Sequence, residues 1–157
     1  CSKALGMAAL RIGFAVANPA ITKILRAAKS PYNVNAVSQA MASVVLKNPL
    51  YKSVYNDIII TSRDMLINGL KRLESEGLVE KVYNSRTNFA FVKLDDADGV
   101  FNSLADRGIA VRKIGENHLR ITAGREEENR EVLCAISSYL RMKKGEGYEN
   151  RCIFAKD

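Results

Sequence analysis

Histidine is nearly missing from this chain, with His118 alone among 157 residues. Cysteine is sparse as well: Cys1, Cys134 and Cys152 lie far apart and form no CxxC pair. A zinc site needs clustered cysteine and histidine ligands, so no metal is expected. Cysteines so few and so scattered read most simply as those of a reducing, cytoplasmic environment. No apolar run approaches the roughly 20 residues of a membrane-spanning helix, so no membrane partner is expected. No basic segment precedes an apolar stretch in the manner of a secretory signal. Internal repeats and low-complexity tracts are absent too.

What is present fits a soluble globular chain, with 47% hydrophobic and 26% charged residues and length enough for a proper core. The formal net charge is +7. Its basic residues, however, stand singly or in pairs (Lys71-Arg72, Lys143-Lys144) among acids, and no basic stripe is interleaved with aromatics. Nucleic acid is therefore not an expected partner. Anionic small molecules suit the charge better.

Periodicity divides the chain. Residues 11–17 read as a short buried strand ending at Asn18-Pro19, a helix-start signal. A helix over about 20–29 carries Ile21, Ile24, Leu25 and Ala28 on one face, and Ser30-Pro31 breaks it. An alanine-rich helix follows over about 36–46. The longest element, about 50–76, keeps Val54, Tyr55, Ile58, Leu66, Leu70 and Leu73 at helical spacing. At 1.5 Å per residue it spans roughly 40 Å, long enough to bridge two lobes. Beyond Gly77 the period changes, with strands predicted at 78–83 and 87–94. An aspartate-capped helix follows, carrying Val100, Phe101 and Leu104, then strands at 109–114 and 118–122. The last helix follows Gly124. It starts with Glu126, Glu127 and Glu128 and ends among Arg141, Lys143 and Lys144, an order that suits the helix dipole.

The fold class is thus α/β to α+β: residues 1–49 as the edge of a larger α/β domain, 50–76 as a bridging helix, 77–142 as a small α+β domain and 143–157 as a tail. Tyr32, Tyr51 and Tyr55 read as packing residues, and His118 as structural or exposed.

The chemistry concentrates at the front. Lys3 lies between small residues, Ser2, Ala4 and Gly6, that leave room for a bulky ring. Ser2 offers a hydroxyl to a phosphate, and Arg11 offers a two-pronged guanidinium that lysine could not. A lysine amine can hold pyridoxal phosphate as a Schiff base. The same residues also fit a basic connection between two elements. Asn33 and Asn88 are further candidates for a cofactor cleft.

A second constellation rests on strand register. If Gly115-Glu116-Asn117 is a three-residue hairpin loop, Ile114 pairs with His118 and Arg112 lies opposite Arg120. Like charges facing one another repel unless an anion sits between them. An anion clamp and a solvated edge with two splayed arginines both satisfy the sequence.

The run Ser2-Lys3-Ala4-Leu5-Gly6, continued by Ala8-Ala9-Leu10-Arg11-Ile12-Gly13, resembles the Schiff-base segment of fold-type-I pyridoxal-phosphate aminotransferases. Phe14-Ala15-Val16-Ala17-Asn18-Pro19 and Ser30-Pro31-Tyr32-Asn33-Val34-Asn35 are similar to the histidinol-phosphate aminotransferase branch in particular. So are Asn88-Phe89, Gly108-Ile109-Ala110-Val111-Arg112 and Leu119-Arg120-Ile121-Thr122-Ala123-Gly124, and the likeness covers about residues 1–141. Ala9 stands where glycine is more usual and Met7 where leucine is common, and neither exchange removes a functional group.

The resemblance implies pyridoxal 5'-phosphate as cofactor, held by Ser2, Lys3 and Arg11, with Lys3 also the base that moves the substrate α-proton. It implies Arg120 at the anionic end of the substrate and Arg112 beside it. The implied reaction passes an amino group from histidinol phosphate to 2-oxoglutarate in histidine biosynthesis, in a cytoplasmic homodimer. It further implies that an aspartate on the pyridine nitrogen, an aromatic on the ring and a partner for its 3'-oxygen precede this lysine. The chain is then expected to be a C-terminal portion, inactive alone: the edge of the aminotransferase large domain, the interdomain helix and the small domain. Other readings are a different amino acid substrate, decarboxylation of threonine phosphate, or a non-catalytic interaction module.

Overall fold

The structure, a computed structural model, describes residues 1–145 and 154, apart from the side chains of residues 51–53. The chain divides into two compact units, Cys1–Ile58 and Ile59–Asp157. Most of the expected tail, and the side chain of Tyr51, lie outside the described residues.

In the first unit, two asparagines start two helices. Asn18 Oδ1 accepts a hydrogen bond from Ala20 N at 2.8 Å and opens α1 (Pro19–Ala28). Pro19 sits in the first turn, where a missing N–H leaves no bond unmade. Asn35 Oδ1 accepts from Ser38 N at 2.8 Å and opens α2 (Ala36–Lys47). A small core of Leu5, Met7, Ile12 and Ala42 is flanked by Leu10, Val34 and Val45.

The strand expected at 11–17 does not form. Arg11 closes a 3-10 turn over Ala8–Leu10, and residues 12–18 carry no regular structure. Phe14 is 69% and Val16 99% exposed. An apolar segment becomes a strand only when a neighbour accepts its backbone hydrogen bonds, and no described segment pairs with this one. Ile21, Ile24 and Leu25 of α1 are exposed as well. Two tyrosines read as packing residues, Tyr32 and Tyr55, are also exposed.

The long helix is present as α3 (Pro49–Ser75), one residue earlier at each end than its periodicity suggested. Gly77, at φ 67°, ends it: Gly77 N donates to Glu74 O at 3.0 Å and Leu78 N to Leu73 O at 2.9 Å. No helix is long and apolar enough to cross a membrane, among the described residues.

The second unit is an antiparallel sheet with helices packed on one face. Its elements are β1 (Lys81–Tyr83), β2 (Phe89–Lys93), α4 (Ala97–Ala105), β3 (Arg112–Ile114), β4 (His118–Thr122) and α5 (Glu126–Lys143). The sheet order is β1-β2-β4-β3. Alternation sends Ala90, Val92, Leu119 and Ile121 into a core shared with Leu66, Leu70, Leu73, Leu104, Leu133 and Ile136.

Three strands are shorter than their sequence patterns, β1, β2 and β3, and for β1 and β3 the reason is the same. Val79 N is taken by Leu73 O (3.2 Å) at the end of α3, and Ile109 N by Leu104 O (2.9 Å) at the end of α4. Helix termination uses backbone groups that strand pairing would need.

Asp96 ties α4 to α5. It caps α4 by accepting from Gly99 N at 2.9 Å, and it also accepts from Tyr139 Oη (2.8 Å) and Lys143 Nζ on α5. Lys143, the Gly99 amide and Tyr139 together hold the Asp96 carboxyl down to about 2. Cys1 is free.

Candidate functional site

Lys3 stands on a tight turn at the start of the first unit. Leu5 N and Met7 N donate to Cys1 O at 3.3 and 3.4 Å, and Gly6 N donates to Lys3 O at 3.1 Å. Gly6, at φ 62°, makes the reversal, and Leu5 and Met7 anchor it in the small core. With Leu5 and Met7 turned into that core, Lys3 and Ala4 are left exposed. The ammonium makes no hydrogen bond or ion pair among the described residues, while Ser2 beside it is half-buried.

Arg11 is the single non-glycine residue at positive φ (53°) among those described. Its Nη1 donates to Ala8 O at 2.9 Å, which leaves the other guanidinium donors unspent. A β-carbon added at Gly6 would meet nothing within 4 Å, so the space beside the turn is open. An exposed amine, a half-buried hydroxyl and an exposed guanidinium on one short segment are, in chemical type, donors that suit a phosphate-bearing aldehyde. Asn33 lies with Ile12, Phe14 and Val34 along a cleft of about 450 Å³ in the same unit.

The arginine pair belongs to the second unit, and the expected register is the observed one. Arg112 pairs with Arg120, Lys113 with Leu119 and Ile114 with His118. Arg112 is exposed and Arg120 half-buried, and neither guanidinium has a carboxylate partner among the described residues. Arg120 lies over the Phe89 ring, 4.4 Å from its centroid. His118 stacks on Phe91 at 5.1 Å and 9°, and its Nε2 lies 3.3 Å from Tyr83 Oη. That arrangement is packing, in keeping with a structural histidine. Asn88 contributes its carbonyl, which accepts from Ala123 N at 3.0 Å and extends the β2–β4 pairing.

Two residues around this pair were not legible as site residues. Phe89 meets Arg120 only through the β2–β4 register, in which Phe89 pairs with Thr122 and Phe91 with Arg120. Asn129 is 1% exposed and ties Gly124, just beyond β4, to Ser62 on α3. Strand alternation could have put Phe89 on the face of Arg120. Nothing in the pattern of α5 marked Asn129.

The family profile described as aminotransferase class I and II matches residues 1–136. The chain belongs to this family. The chain is 42% identical over 144 residues to a histidinol-phosphate aminotransferase of Thermoanaerobacter pseudethanolicus, with 88% of this chain and 40% of that protein covered. The chain thus spans about two fifths of the length of the curated relatives it matches. Two solved structures share its fold. A histidinol-phosphate aminotransferase from Clostridium acetobutylicum superposes with TM-score 0.67 at 22% identity, covering 80% of this chain and 39% of that one. A decarboxylase from Sulfurospirillum multivorans gives TM-score 0.60 at 24% identity, covering 86% and 40%.

Proposed function

We propose that this chain is the C-terminal portion of a pyridoxal-phosphate-dependent aminotransferase that passes an amino group from histidinol phosphate to 2-oxoglutarate. It would serve histidine biosynthesis in the cytoplasm as a homodimer. Residues 1–49 would be the edge of its large domain, 50–76 the interdomain helix and 77–142 the small domain. The observation that carries the reading is the exposed, unpartnered Lys3 ammonium on a tight turn, with Ser2 beside it and Arg11 eight residues on in the same segment.

Pyridoxal phosphate, when bound, supplies an electron sink that makes the substrate α-proton removable. Ser2 and Arg11 would hold its phosphate, Arg11 through the donors its bond to Ala8 leaves free. Lys3 would secure the cofactor through its amine and then move the proton at the substrate Cα. In that second role the amine acts as a general base. Arg112 and Arg120 would hold the anionic end of the substrate, which relieves their mutual repulsion across the ladder.

The test is the full-length protein loaded with cofactor. Lys3→Ala abolishes the near-visible absorbance of the bound cofactor and the transfer of the amino group; absorbance retained in that variant overturns the assignment. Arg120→Met removes a charge-assisted contact worth about 2 kcal/mol, roughly a 30-fold loss in kcat/KM for the phosphorylated substrate. The second reading within the same family is decarboxylation of threonine phosphate. Carbon dioxide release without formation of glutamate would select it.

A further inference from the structure

Of the two facing arginines, only Arg120 touches an aromatic ring among the described residues. Its guanidinium carbon lies 4.4 Å from the centroid of Phe89. The contact is diagonal, because the ladder partner of Arg120 on β2 is Phe91, and the Phe91 ring is engaged by His118 and Tyr83 instead. Phe89 is half-buried, on a strand whose alternate residues Ala90 and Val92 are wholly buried. The ring is thereby fixed to the sheet.

We infer that Phe89 is a positioning residue: it holds the Arg120 guanidinium flat against its ring, so that the N–H donors face outward in one plane for a bidentate anion. This rests on the substrate-anion role proposed above for Arg120. A free arginine side chain samples many rotamers, and ordering it opposes binding. A ring under the guanidinium removes much of that search before the anion arrives. It also leaves the donors unspent, which a carboxylate partner would not. Arg112 has no such ring among the described residues and is exposed, so Arg120 sets the orientation of the anion and Arg112 adds charge.

The experiment uses the full-length holoprotein, with inorganic phosphate as the binding probe and the phosphorylated amino substrate for kinetics. Phe89→Leu keeps the bulk and removes the ring; phosphate affinity falls about 3- to 10-fold and KM rises by a similar factor with kcat nearly unchanged. Phe89→Tyr restores both. Stepwise fluorination of Phe89, which drains the ring face without changing the packing, weakens phosphate binding in graded order. A merely structural role would leave that series flat, and a flat series with normal melting overturns the inference. Arg120→Met separates the two levels. If it weakens phosphate binding while the Phe89 variants do not, the positioning role fails and the anion role stands. If Arg120→Met also leaves phosphate binding intact, the anion role fails and the positioning role with it.

Discussion

Asn129 is the residue whose loss the second unit should tolerate least for its size. It is 1% exposed. Its Oδ1 accepts from Gly124 N at 2.9 Å, and its Nδ2 lies 2.8 Å from Ser62 Oγ, 3.1 Å from Ser62 O and 3.3 Å from Gly124 O. Asn129→Ala leaves the Gly124 amide facing a small void and takes a donor from Ser62. One orphaned buried donor costs about 1–3 kcal/mol and a lost net hydrogen bond about 1 more, so the variant should lose about 3 kcal/mol. In urea denaturation, with m near 2 kcal/mol/M, the midpoint falls by about 1.5 M at constant m. Asn129→Asp separates the two halves of the network. It keeps the acceptor for Gly124 N but turns a carboxylate toward the Gly124 and Ser62 carbonyls, so at neutral pH it should be no more stable than the alanine variant. That carboxyl is favoured neutral in the folded state, so the penalty eases as pH falls through its raised folded pKa. A midpoint within about 0.3 M of wild type for Asn129→Ala would refute the reasoning, because it would mean that water or a local shift satisfies Gly124 at no cost.

Other outcomes follow from the packing. Asp96→Ala removes the α4 cap and its ties to Tyr139 and Lys143, a loss of about 1–2 kcal/mol at neutral pH. The folded carboxyl is held down to about 2 against an ordinary 3.8, so wild type loses this contribution as pH falls through that window. Melting curves of the two proteins should converge there, and a constant gap would contradict the assignment. Gly69 lies inside α3, where an added β-carbon would come within 2.8 Å of Leu133 Cδ2 and closer still to Cδ1. Helix propensity favours Gly69→Ala by about 1 kcal/mol, but overpacking against a fully buried leucine costs about 1–3, so the net change should be destabilising. Combining it with Leu133→Ala should cost less than the sum of the single changes in denaturation; strict additivity would count against the contact.

How much could be read in advance depended on how local the deciding interaction was. Asn18, Asn35 and Asp96 cap helices through bonds spanning two or three residues, so those starts were legible. The Arg112–Arg120 pairing was legible for the same reason, since a three-residue turn fixes the register of its own hairpin. The strand expected at 11–17 was not, because an apolar run states what it could pair with and not whether a partner is present. The strands beginning at 78 and 109 were overextended because helix ends claimed their first amide groups.

The sequence by itself determined the helix caps, the alternation that buries Val92 and Leu119, the hairpin register and the placing of Lys3, Ser2 and Arg11 on one short segment. Each depends on neighbours within a few residues or on a period of the chain. Only the tertiary structure decided that Phe89 lies beneath Arg120, that Asn129 binds Gly124 and Ser62, and that Asp96 receives Tyr139 and Lys143 from a helix more than forty residues away. These contacts need strands or helices distant in the chain to meet at one register. That register is set by the packing of the whole core, which no local window contains.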